Sequence, residues 1–161
     1  MSGNSRRKFI RNTTLLAGAL SMRRSAVAAN LLGETGTSNG PIVISTWSHG
    51  VPANAAAWSV LDKGGRALDA VEAGVRIPEA DPNVTSVGYG GLPDRDGRVT
   101  LDACIMDEFS NCGSVAFLEH IKHPISVARL VMEKTPHVMI VGEGALKFAL
   151  DNGFKKENLL D

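Results

Sequence analysis

Ser48 and His49 stand side by side in this sequence, and a hydroxyl beside an imidazole is the raw material of nucleophilic hydrolysis. Their adjacency works against that chemistry. Neighbouring residues of an extended chain project to opposite faces, so the two side chains do not meet locally, and the couple also needs a third group to orient the base. They read instead as turn residues closing the run PIVISTWSHG, Pro41 to Gly50. His120 and His123 form H-x-x-H with Glu119 beside them, a spacing that on a helix would offer two metal ligands. Pro124 interrupts that segment and no third ligand stands near, so an ordinary polar connection is the reading. The glycines of GYGG (Gly88–Gly91) and GEG (Gly142–Gly144) lack the full nucleotide-binding patterns, and Glu143 would repel a phosphate. They read as turns that need positive φ or close backbone approach. Asp94, Asp96 and Asp102 lie in a loop and a strand and could do paired acid and base work, though as a signal they are unspecific.

The elements that must position these residues follow from hydrophobic pattern and breakers. PIVIST, Pro41 to Thr46, alternates too little for a half-exposed strand and predicts a central strand with both faces covered. Ala53 to Leu61 predicts a helix ended by Lys63-Gly64-Gly65. A second helix covers Ala67 to Val75, with Leu68, Val71 and Val75 recurring at three and four, and Pro78 stops it soon after. Asp81 to Gly97 is a long loop dense in Gly, Pro and Asp, of the kind a compact fold keeps for a site. A hairpin pairs Val99–Met106 with Gly113–Leu118, and a helix starts at Pro124 and runs to about Lys134. His137 to Gly142 predicts an apolar strand, and a short helix then ends at Gly153. Helices against a nearly buried sheet make a layered α+β arrangement. About four strands with such apolar runs call for more strands from elsewhere, so the chain reads as a fragment.

Composition narrows the classes of function. The 161 residues are 43% hydrophobic but only 5% aromatic, which allows one small aliphatic core. The zero net charge hides an asymmetry: residues 1–28 carry Arg6, Arg7, Lys8, Arg11, Arg23 and Arg24 and no acid, leaving 11 basic against 17 acidic residues in the remainder. No basic track is left for a polyphosphate, which excludes nucleic acid as the expected partner. The basic SRRKFIR, the short apolar TTLLAGALS and the small AVA at Ala26–Ala28 predict an export signal of the twin-arginine type over residues 1–28. Thr13–Ser21 is far shorter than the ~20 residues of a membrane helix. Residues 29–40 read as a flexible lead-in, and the mature chain is expected to be periplasmic or secreted, with no membrane partner after export. Cys104, in an apolar run, reads as a buried small hydrophobe rather than as half of a bond to Cys112.

Residue logic alone names no reaction, but several segments together resemble a known family. STWSHG at 45–50, NAAAWSVLDKGGRALDAVEAGVR at 54–76, SVGYGGLPDRDGRVTLDACIMD at 86–107 and the stretch from Gly113 to Leu150 are similar to the N-terminal half of glycosylasparaginases. These are N-terminal-nucleophile hydrolases of the asparaginase/isoaspartyl-peptidase type. The resemblance implies half of a four-layer αββα sandwich, completed by a β subunit that autoproteolysis headed with a threonine. That threonine attacks the side-chain amide of an asparagine bearing N-acetylglucosamine, through an anionic tetrahedral state and a β-aspartyl ester. No metal or organic cofactor is implied, and the expected assembly is a dimer of αβ heterodimers acting on glycoasparagine. Trp47 matches a strand-end tryptophan that lines the substrate site beside the nucleophile, and Ser86 matches a serine in a loop approaching the same place.

By the same resemblance the catalytic residues proper, all in the β half, have no counterpart here, and the isolated chain is expected to be inactive. Asp161 reads as a truncation point or the start of a linker rather than as the residue before the cleaved bond. His49 stands where an aromatic residue is expected. Two other functions stay open: isoaspartyl peptidase or L-asparaginase activity, and an inactive truncated homologue with a binding or structural role. PDRDG, Pro93–Gly97, leans toward glycoasparagine.

Overall fold

A computed structural model describes residues 40–160. The export signal read over residues 1–28, the lead-in up to residue 39 and Asp161 lie outside the described residues. Among the described residues, four helices and three strands follow in chain order: α1 Gly50–Leu61, α2 Ala67–Ala80, β1 Leu101–Met106, β2 Cys112–Leu118, α3 Pro124–Lys134, β3 Met139–Val141 and α4 Gly142–Asp151. The sheet order is β1-β2-β3, with β1 antiparallel and β3 parallel to β2. The expected α+β class is what the chain adopts.

β1 and β2 form the predicted hairpin. Asp107 closes it, its Oδ1 accepting the N–H groups of Phe109 and Asn111, both at 2.9 Å. The register places Leu101, Ala103 and Ile105 opposite Leu118, Val115 and Gly113 on one face, and that face carries the core. Between Leu101 and Ala103 the pairing shifts, and Phe117 takes φ 52°. Asp102 Oδ1 accepts the Phe117 N–H at 2.8 Å, which fixes this bulge. Asp102 therefore has a backbone task.

Helices α3 and α4 cover the core face, packing Val127, Ala128, Val131, Ala145 and Ala149 on Ile105, Val115 and Leu118. Gly113 lets α3 lie directly on β2. A Cβ there would run into the Ala128 carbonyl and the Met132 backbone. A similar economy joins α1 to α2: a Cβ on Gly74 would sit 2.9 Å from the Ala53 carbonyl oxygen and 3.3 Å from the Ala57 Cβ. Arg129 of α3 clasps α2, with Nη1 2.7 Å from both Asp69 and Glu72, and Nε 2.8 Å from Glu133 on its own helix.

The opposite face of the sheet is largely bare. Cys104 is exposed, Met106, Met139 and Val141 are 63%, 53% and 52% exposed, and the register puts all four on that side. Cys104 is thus no buried hydrophobe: alternation along β1 turns it away from the core residues Ala103 and Ile105. Both cysteines are free. PIVIST also departs from expectation. Among the described residues it pairs with no strand, and Ile42 and Ile44 are 69% and 84% exposed. Such a run needs ladder neighbours at its edges and a packed layer on each face, and among the described residues no strand pairs with it. Helix α1 begins at Gly50 rather than Ala53, and α2 runs past Val75 to Ala80 with Pro78 inside its last turn. Pro78 gives no N–H to the carbonyl four residues before it, and the helix ends two residues later.

Replacing Gly113 by alanine is expected to destabilise the fold by about 3 kcal/mol, since backbone and not a movable side chain would have to yield. Urea denaturation reads the loss, and a variant within experimental error of the parent would refute this packing.

Candidate functional site

The Asp81–Gly97 loop folds back over the end of α2 and is held from several sides. Asp81 Oδ1 accepts the N–H and the side-chain amide of Asn83, both at 2.9 Å. The Tyr89 N–H donates to the Glu79 carbonyl at 2.8 Å, the Gly90 N–H to the Leu159 carbonyl at 2.8 Å, and the Leu92 N–H to the Thr85 carbonyl at 3.0 Å. Gly88 and Gly90 have φ of 58° and 76°. Gly88 rests directly on the Glu79 backbone with no room for a Cβ, so it needs both the conformation and the close approach. Ser86 is exposed on this loop and lines a cleft of about 290 Å³ together with Glu79, Thr100, Asp102, Cys104 and Ile125.

Glu79 is the titratable group buried in this region, 2% exposed. Its Oε1 accepts the Ile125 N–H at 3.1 Å, and its Oε2 lies 3.1 Å from His123 Nδ1. Helix α3 has no side-chain cap of its own at His123, so Glu79 supplies from another helix the acceptor its first turn lacks. Burial pushes the Glu79 carboxyl above its ordinary value, against the pull of His123, the Ile125 N–H and nearby Arg76. Sequence reading passed over this residue. Its signal was present: Glu79 falls four residues beyond Val75 and eleven beyond Leu68, on the helix stripe that turns inward.

The other candidates separate. The Gly50 N–H donates to the Trp47 carbonyl at 2.8 Å, so Trp47–Gly50 is the turn entering α1, and Ser48 is exposed. Trp47 is 71% exposed, and its ring lies parallel to that of His49 with centroids 6.1 Å apart. His49 is thus a stacking partner for Trp47. His120 and His123 do not share a helix: α3 starts only at Pro124, His120 sits at φ 64° and 3.7 Å from Glu119, and His123 turns to Glu79. Asp94 and Asp96 are occupied by their own turn. Asp94 Oδ1 accepts the N–H groups of Asp96 and Arg98 at 2.8 and 2.9 Å, and Arg98 reaches both carboxylates at 3.4 and 3.5 Å. Gly142 takes φ 59° at the start of α4, a turn rather than a phosphate cradle. The KKENLL tail, Lys155–Leu160, is exposed but for Leu159, which is buried against Val99 and Leu101.

The family model described as Asparaginase matches residues 48–160. The chain belongs to the asparaginase family. It is 65% identical over 159 residues to an N(4)-(Beta-N-acetylglucosaminyl)-L-asparaginase of Elizabethkingia miricola, covering 98% of this chain and 46% of that protein. It is 46% identical over 125 residues to the corresponding mouse protein, covering 77% of this chain and 36% of that one. An isoaspartyl peptidase of Salmonella typhimurium is 46% identical over 98 residues, covering 60% of this chain and 31% of its own length. The chain thus spans from 31% to 46% of the length of these relatives. Within the family, the resemblance to glycosylasparaginases read from STWSHG and SVGYGG stands on the first two of them.

The turn at Asp94 carries a pH prediction. The Arg98 N–H, then the Asp96 N–H and the Arg98 charge, hold the Asp94 carboxyl below its ordinary 3.8, so its bonds are present above that value and lost as pH falls through the lower native value. Hydrogen exchange at the Asp96 and Arg98 amides, relative to intrinsic rates, should stay protected at pH 4 and lose protection only well below it. Asp94→Ala should abolish that protection at every pH.

Proposed function

We propose that this chain is the half of an amidohydrolase that lacks the nucleophile, and that with its second half it cleaves the amide joining N-acetylglucosamine to an asparagine side chain. The observation that carries this reading is the 65% identity to the Elizabethkingia enzyme across nearly the whole chain. The bare apolar sheet face supports a second sheet stacked on it, with helices outside both, which is the four-layer αββα sandwich. In this reading residues 41–161 are the α-subunit portion, and the β subunit brings an N-terminal threonine whose hydroxyl attacks the amide carbon. The glycosylamine leaves, a β-aspartyl ester remains on the threonine, and water releases aspartate. Trp47 and Ser86 are the residues of this chain assigned to the substrate site, Trp47 as an apolar wall and Ser86 as a hydroxyl beside the nucleophile. The reaction calls for no metal or organic cofactor. The basic leader supports twin-arginine export of the folded protein to the periplasm or beyond, and two αβ pairs form the assembly.

The 46% identity to the Salmonella isoaspartyl peptidase supports a second reading, in which the leaving group is the amine of a β-aspartyl peptide. Aspartate release separates the readings. The chain alone should release none from glycoasparagine; release by the purified single chain would refute the division of labour. Combined with a threonine-headed half, it should act on glycoasparagine at least about tenfold faster than on a β-aspartyl dipeptide. The reverse order favours the peptidase, and no turnover of either substrate favours an inactive homologue. Trp47→Ala in the active assembly should lower kcat/KM about tenfold or more, corresponding to ~1.4 kcal/mol of lost contact.

A further inference from the structure

The geometry points to Glu79 as a positioning residue, whose buried carboxylate fixes the last turn of α2 and through it the loop that carries Ser86. The proposal that the loop is held this way stands on the structure; its consequence for turnover rests on the assignment of Ser86 given above.

One residue serves both ends of the connection. Its carboxylate reaches forward to α3, accepting the Ile125 N–H and facing His123 Nδ1. Its main chain supports the loop, the carbonyl accepting the Tyr89 N–H and the backbone lying under Gly88. The turn that carries it is weak by itself. Pro78 has no N–H to give the helix, and beyond Glu79 the chain leaves it at Asp81 in an extended conformation. The side chain of Glu79 therefore adds the tie from this turn to α3, beside the Asp81 N–H on the Pro78 carbonyl. The charged groups facing it are His123 from the segment before α3 and Arg76 from α2, whose guanidinium also approaches Ser126 at 3.5 Å. Further along the same seam Ser126 donates to Glu72, and Glu72 pairs with Arg129 at 2.7 Å, so α2 and α3 remain joined there when Glu79 is changed. Loss of the carboxylate should consequently loosen the final turn and the loop, and leave the sheet alone.

The test is hydrogen exchange and steady-state kinetics on the assembled protein carrying Glu79→Ala, Glu79→Gln or His123→Ala. Glu79→Ala should raise exchange at the Tyr89 and Gly90 amides by about tenfold or more while Val115 in β2 is unchanged. Glu79→Gln keeps an oxygen for the Ile125 N–H and should restore most of that protection. His123→Ala removes only the second partner and should fall between the two, which keeps the question decidable if Glu79→Ala does not fold. Turnover should follow the loop, with kcat down about tenfold and KM within about threefold. Unchanged loop amides in every folded variant, or equal loss at Tyr89 and Val115, would overturn the proposal. A loosened loop with unchanged kcat would uphold the positioning role and remove Ser86 from the reaction.

Discussion

A carboxylate buried where two helices meet is the constraint on which the Asp81–Gly97 end of this fold depends. Burying a charge is unfavourable unless it is hydrogen-bonded, and Glu79 meets the condition with a backbone N–H and a histidine. The arrangement solves two problems together. Helix α3 opens on Pro124 without a capping side chain, and the last turn of α2 contains a proline; the Glu79 carboxylate caps the first and ties the second to it. The loop from Asp81 onward then has a fixed floor, and its glycines at 88 and 90 let the backbone settle on that floor.

Much of the layout was legible in the sequence. The hairpin was marked by two β-rich runs and a short polar connection, α3 by Pro124 at its first position, and α4 by the glycine that ends it. The glycines at 88, 90 and 142 were read as conformational rather than phosphate-binding, and they take positive φ. These features rest on local chemistry, which a sequence displays directly.

What was misread depends on partners distant in sequence. PIVIST has the composition of a covered strand, yet composition does not say which strand covers it, and Ile42 and Ile44 stand open. Cys104 was placed inside because it lies in an apolar run, whereas the period of two in β1 sends it to the uncovered face. Glu79 was overlooked because a glutamate near a helix end is ordinarily solvated, and only its place on the inward stripe distinguishes it. Asp94, Asp96 and Asp102 invited an acid–base reading, but Asp94 and Asp102 accept backbone N–H groups and Asp96 faces the Arg98 guanidinium.

The hairpin closed by Asp107 also bears on the order in which the chain gains structure. Its strands meet across Asp107–Asn111, so the loop-closure entropy is small, and Asp107 ties the connection through two backbone amides. The parallel strand β3 can join only after α3 has crossed over, which makes it the later and slower contact. The hairpin and the helix seated on Gly113 are thus suited to act as a folding nucleus, while the apolar face that stays open exists from the moment that nucleus forms. A chain built this way exposes an adhesive surface early, and until something covers that face it is open to another copy of the same chain.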